Sequence, residues 1–269
     1  MRRTDPHLVP VRWGDRLDQI ETQWLAPERT AAPLLVFLHE GLGSRSMWKD
    51  FPRQLCDAAG CRGLVFSRQG YGESTPRRAD ERWPVGFMHA QAQAFLPAYF
   101  EALDLDTAAE PPWLFGHSDG GSIALLHAAA QPGRVAGVVA AAPHCFVEEV
   151  SVSSIAATRE TYLNTDLRSR LGRYHAEVDS AFWGWNDIWL DPAFRAWNIE
   201  AELPRIACPV LAIQGEDDEY GTMAQIDAIA RALPATQLLK LPRCGHSPHR
   251  DQPAAVIEAV AGFMRNAPH

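Results

Sequence analysis

Ser118 stands at the centre of Gly116-His117-Ser118-Asp119-Gly120, with a glycine two positions away on either side. A serine hydroxyl attacks a carbonyl carbon only when a neighbouring base takes its proton and a carboxylate holds that base in the correct tautomer. Both groups appear further along the chain. The run Glu216-Asp217-Asp218-Glu219 supplies four carboxylates that would repel unless splayed in a loop, and Asp218 is the expected acid. His246 in Cys244-Gly245-His246-Ser247-Pro248-His249 is the expected base, with His249 the weaker candidate. Chemistry at a carbonyl also needs two backbone N–H donors for the developing oxyanion. Asp119, next after the serine, offers one. The loop His39-Glu40-Gly41-Leu42-Gly43-Ser44 offers the other, at Gly41 or alternatively Leu42, because its glycines let the backbone approach a ligand closely.

These residues must be carried by elements that converge. Short apolar runs alternate with longer amphipathic stretches, the pattern of a mostly parallel sheet covered by helices on both faces. Strands are expected at 34–38, 63–66, 113–115, 135–141, 209–213 and 237–241. Helices are expected near 47–59, 87–104, 120–131, 222–233 and 253–265. Segments 8–13 and 19–25 read as an antiparallel hairpin at the sheet edge, turned at Gly14-Asp15. Ser118 therefore lies in a strand, turn, helix context, beside a helix N-terminus whose partial positive charge favours developing negative charge. Asp218 and His246 each follow a strand. Between Ala142 and Pro209 lie roughly sixty residues, far more than an ordinary connection. This interval, taken as 146–205, is expected to be a helical lid over a core made of 1–145 and 206–269. Its aromatic residues Phe182, Trp183, Trp185, Trp189, Phe194 and Trp197 suit a lid core and, where they face the site, an apolar or planar substrate. Trp183, Trp185 and Trp189 are the candidates for substrate contact, together with Glu40 and with His144 just after the preceding strand.

Composition sets outer limits. Apolar residues make up 46% and charged residues 22%, ordinary values for a folded domain. The formal net charge of -8 and the lack of a Lys/Arg cluster argue against nucleic acid and against anionic membrane surfaces as partners. Arg2 and Arg3 are followed by Asp5, Pro6, His7 and Pro10, so no signal-peptide stretch is read there, and no window is long and apolar enough to span a bilayer. A cytoplasmic address is the expectation. Cys56, Cys61, Cys145, Cys208 and Cys244 show no paired or metal-site spacing, and His7, His89, His127 and His175 are scattered. No metal or cofactor is therefore expected, and the expected partner is a small-molecule substrate. Oligomeric state is open.

The elbow at Ser118, the His39 loop, the Gly70-Tyr71-Gly72-Glu73-Ser74 turn, the Gly215 to Asp218 turn and the Gly245-His246 pair together resemble the α/β-hydrolase superfamily. The likeness extends over nearly the whole chain and is nearest to small lidded esterases and to the C–C bond hydrolases of aromatic-ring catabolism. It implies a carboxylate three positions after the glycine, hence Asp218 and not Asp217, and the chain order serine, acid, histidine. It further implies an acyl-enzyme on Ser118, hydrolysed by water activated at His246.

The sequence departs from that pattern in two places. Glu40 replaces the glycine usual after the oxyanion-loop histidine, and Ser67 and Gln69, flanking Arg68, replace the usual aspartate and arginine. The first is expected to turn its side chain into a hydrogen-bonded network, the other option being to position a water or substrate hydroxyl. The second is expected to alter a structural network and not the reaction. Ester, lactone, thioester and C–C substrates all remain open on this triad. A non-catalytic binding protein or a cofactor-free oxygenase or perhydrolase is the competing reading, because fold alone does not fix function.

Overall fold

The computed structural model describes residues 4–78 and 80–267, so the arginines Arg2 and Arg3 lie outside the described residues. Eight strands form one sheet in the order β1-β2-β4-β3-β5-β6-β7-β8. They are β1 His7–Trp13, β2 Arg16–Leu25, β3 Leu34–Leu38, β4 Arg62–Phe66, β5 Trp113–His117, β6 Gly137–Ala141, β7 Val210–Gly215 and β8 Gln237–Leu241. β1 and β2 form the expected hairpin, and β2 runs antiparallel to β4. From β4 to β8 every pairing is parallel. A parallel sheet is covered on both faces, which is why β3, β4, β5, β6 and β7 are buried along their whole length.

The helices are α1 Phe51–Ala59, α2 Phe87–Ala90, α3 Leu96–Ala102, α4 Asp119–Ala130, α5 Glu149–Asn164, α6 Leu167–Leu171, α7 Val178–Leu190, α8 Ala224–Ala232, α9 Pro248–Asp251 and α10 Pro253–Asn266. Side chains alternate across a strand, so β3 sends Leu34, Val36 and Leu38 into one core and Leu35 and Phe37 into the other. The first core includes α2 to α5, α7 and α8. The second is closed by α1 and α10, which pack on each other.

Several boundaries differ from the sequence reading. The helix expected over 47–59 is split, because Lys49 takes a left-handed φ of 54° between a 3-10 turn at Arg45–Trp48 and α1. The helix expected over 87–104 contains a widened π segment at Gln91–Phe95. The strand expected from 135 starts at Gly137. The long interval after β6 carries α5, α6 and α7, and its two ends meet where Phe146 bridges Asn198 and Ile199 N–H donates to the Cys145 carbonyl at 2.7 Å. All five cysteines are unpaired. Among the described residues no helix is long and apolar enough to cross a membrane.

Candidate active site

β5 runs directly into α4, and Ser118 at the junction adopts φ 53°, ψ -121°, a strained conformation for a residue with a side chain. The neighbouring glycines are steric necessities. A methyl group on Gly116 would overlap the Gly120 carbonyl, and one on Gly120 would overlap the Leu38 carbonyl of the adjoining strand. The spacing of the motif is thus the spacing at which strand, turn and helix touch.

The loops after β5, β7 and β8 bring three expected residues together. His246 Nδ1 lies 2.9 Å from both carboxylate oxygens of Asp218, and His246 Nε2 lies 2.9 Å from Ser118 Oγ. With Nδ1–H held by the carboxylate, Nε2 is the acceptor that faces the serine hydroxyl. Asp218 also accepts from the Tyr220 and Gly221 N–H groups and from Gln214 Nε2 at 2.6 Å. Burial opposes its charge, but these hydrogen bonds and the nearby imidazoles outweigh burial, so its pKa falls below the ordinary value. Asp217 is exposed, and Glu219 accepts from the His246 N–H at 3.2 Å. His249 is buried against Trp48, Phe51 and His117 and does not reach Ser118.

Gly41 and Leu42 line the same cavity as Ser118, and neither N–H has an acceptor among the described residues. As the first residue of α4, Asp119 has an N–H without an intrahelical partner. The loop that carries Gly41 and Leu42 is fixed from behind. His39 Nε2 accepts from the Arg68 N–H at 2.9 Å while its Nδ1 donates to the Glu40 carbonyl at 2.8 Å. Burial keeps that imidazole neutral, well below its ordinary pKa. His175, from the segment after α6, accepts from the Gly72 N–H and donates to the Leu42 carbonyl, a tie that the sequence reading missed.

Glu40 takes the first of its two expected courses. Its carboxylate turns to His117 Nδ1 at 3.4 Å, and His117 Nε2 donates to the His246 carbonyl at 2.7 Å. Burial works against the Glu40 charge, yet His117 and the surrounding imidazoles hold its pKa well below the carboxylate range. Ser67 donates to Glu21 at 2.6 Å, and Glu21 pairs with Arg45 at 2.7 Å, so that departure does feed a structural network. Arg68 is buried, donates to the Glu40 carbonyl, and lies 3.9 Å from the Asp119 carboxylate.

A cavity of about 130 Å³ opens onto Ser118, bordered by Leu42, His144, Ile155, Trp185, Trp189 and Tyr220, with Glu40 at its side. Trp185 and Trp189 thus both border the cavity. Trp183 does not: it packs on Tyr162, Phe182 and Arg159, away from the cavity. The reason is helical. Trp185 and Trp189 are four residues apart and share a face of α7, whereas Trp183, two residues earlier, points elsewhere. A larger groove of about 590 Å³ lies at the opposite edge of the sheet around Pro33, Arg62, Trp113 and Cys208, and neither serine nor histidine lines it.

This architecture matches known proteins. The sequence profile of the alpha/beta hydrolase family aligns with residues 35–259, most of the chain. The chain belongs to the alpha/beta hydrolase family. Within the family it is 29% identical over 241 residues to a monoglyceride lipase of Homo sapiens, covering 81% of this chain and 77% of that one. It is 25% identical over 264 residues to a 2-succinyl-6-hydroxy-2,4-cyclohexadiene-1-carboxylate synthase of Enterobacter sp. (strain 638), covering 87% and 92%. Among solved structures, a thermophilic esterase from Thermogutta terrifontis superposes with a TM-score of 0.70 at 20% identity, over 97% of this chain and 98% of that one. The enol-lactonase from Burkholderia xenovorans LB400 gives 0.70 at 19% identity, over 93% and 97%. These two likenesses establish the shared alpha/beta hydrolase fold.

Proposed function

We propose that the protein is a serine hydrolase that cleaves a small apolar or aromatic carboxylic ester, or a related lactone, thioester or C–C bond. The observation that carries this reading is the continuous line Asp218, His246, Ser118, with 2.9 Å at each step, ending at an apolar cavity. His246 Nε2 takes the Ser118 proton as Oγ attacks the carbonyl carbon. The oxyanion receives the N–H of Asp119 and that of Gly41, or Leu42 in its place. His246 then protonates the leaving group, and a water activated by the same imidazole releases the acyl product from Ser118. Residues 146–205 act as a lid on the core of 1–145 and 206–269.

A cavity of this size limits the acyl part, since roughly 150 Å³ of apolar space accommodates a benzene-sized ligand. Relatives named as a lipase, an esterase and an enol-lactonase agree with carboxylic ester chemistry on this fold. Hydrolysis of p-nitrophenyl acetate and butyrate by the wild type and by Ser118→Ala, without added metal, tests the reading. Turnover should vanish with the serine. Equal turnover by both proteins would refute it.

A further inference from the structure

Ser118 Oγ has a second imidazole beside it. His144 Nε2 lies 3.4 Å away, against 2.9 Å for His246 Nε2. The backbone on both sides of the His144 Cα is clamped by one side chain: Ser122 Oγ accepts the His144 N–H at 3.0 Å and donates to the His144 carbonyl at 2.6 Å. Ser122 lies on α4, one turn beyond Ser118, so the helix that begins at the nucleophile also holds this ring against it. The ring is buried, packs edge-on to Trp189 at 4.7 Å, and is 5.8 Å from the His246 ring.

The hydrogen bonding decides the tautomer. His144 Nδ1 is enclosed and has no partner among the described residues. A neutral imidazole carries one N–H, and the Ser118 hydroxyl, which spends its single proton on His246, can only accept from His144. The proton therefore sits on Nε2 and points at Ser118 Oγ. Burial, the main cause, lowers its pKa to about 3, so the ring stays neutral. Oγ then donates to His246 and accepts from His144.

We propose that His144 is a catalytic residue that donates its Nε2–H to Ser118 Oγ while the bond between Oγ and the acyl carbon forms and breaks. The proposal rests on the serine mechanism given above. In acylation the Oγ proton passes to His246 as Oγ bonds to the carbonyl carbon. In deacylation a water oxygen bonds to the acyl carbon as its proton passes to His246; the bond from that carbon to Oγ then breaks, its electron pair returns to Oγ, and His246 gives Oγ the proton. His144 keeps its own proton throughout. Its hydrogen bond is long at rest and tightens as negative charge builds on Oγ, so it favours the transition state over the ground state.

The test compares His144→Phe, which keeps a ring and removes the donor, with His144→Gln, whose amide restores an N–H. For wild type and both variants, the second-order rate of labelling by a fluorophosphonate and the kcat and KM for p-nitrophenyl acetate are measured, with folding followed by Tm. The Phe variant should label and turn over about tenfold more slowly at nearly unchanged KM, and the Gln variant should recover most of that loss. Equal labelling rates in all three proteins, or a loss expressed only in KM, would overturn the proposal. A wild type that takes no label at all would instead remove the serine mechanism on which it rests.

Discussion

The indole N–H of Trp189 donates to Asp119 Oδ1 at 3.2 Å, and both side chains are buried. This one contact joins α7, from the long segment between β6 and β7, to the residue that follows Ser118. Trp189→Phe keeps the packing and removes the donor. It should lower stability by about 1–3 kcal/mol, the cost of leaving a buried acceptor unmet, and should also reduce kcat, because α4 loses a tie at its first turn. Urea unfolding alongside ester kinetics checks both, and a variant as stable and as active as wild type would show the contact to be idle.

Asp119 makes folding sensitive to pH. Burial raises its pKa to about 6, more than Arg68, the Trp189 hydrogen bond and His246 can offset, while Glu40 adds to the rise. A carboxyl whose folded pKa exceeds its unfolded value of about 3.9 contributes stability below that value and loses it as pH climbs through the folded pKa. Wild type should therefore lose Tm relative to Asp119→Asn between about pH 4 and 7. A Tm difference that stays constant over that range would contradict the assignment.

Asp218→Asn should leave the fold standing and lower kcat by roughly a thousandfold or more, because an amide facing Nδ1 no longer holds His246 in the tautomer that accepts from Ser118. The comparison is kcat against near-native circular dichroism. A drop of less than about tenfold would place the orienting carboxylate elsewhere.

Gly41 is confined by α7, since a methyl group there would overlap the Trp185 indole. Gly41→Ala should cost activity by displacing the oxyanion loop, and adding Trp185→Ala should restore part of it. A double-mutant cycle measures that coupling. Strict additivity of the two effects would mean that the clash is not the cause.

The parts of this site that were legible in the sequence are those imposed by local sterics. Gly116 and Gly120 announce the turn because strand and helix backbones touch there, and Asp218 and His246 follow strands that end at one edge of the sheet. What escaped depends on contacts between distant segments. The tie from His175 to Gly72 spans 103 positions, and the clamp of Ser122 on His144 crosses from a helix to a separate loop. Nothing in the spacing of Arg68 and Asp119 announces that their charges meet in the interior. Trp183 lies off the face that the four-residue spacing of Trp185 and Trp189 defines, and packs on Tyr162 and Phe182 instead.

The central claim is that Ser118 is a nucleophile activated by His246. Its most direct test is the intact mass and peptide map of the protein after treatment with a fluorophosphonate, run beside Ser118→Ala. A single adduct on the peptide containing Ser118, absent from the alanine variant, is the expected result. An adduct on another residue, or none on the wild type, would contradict the account.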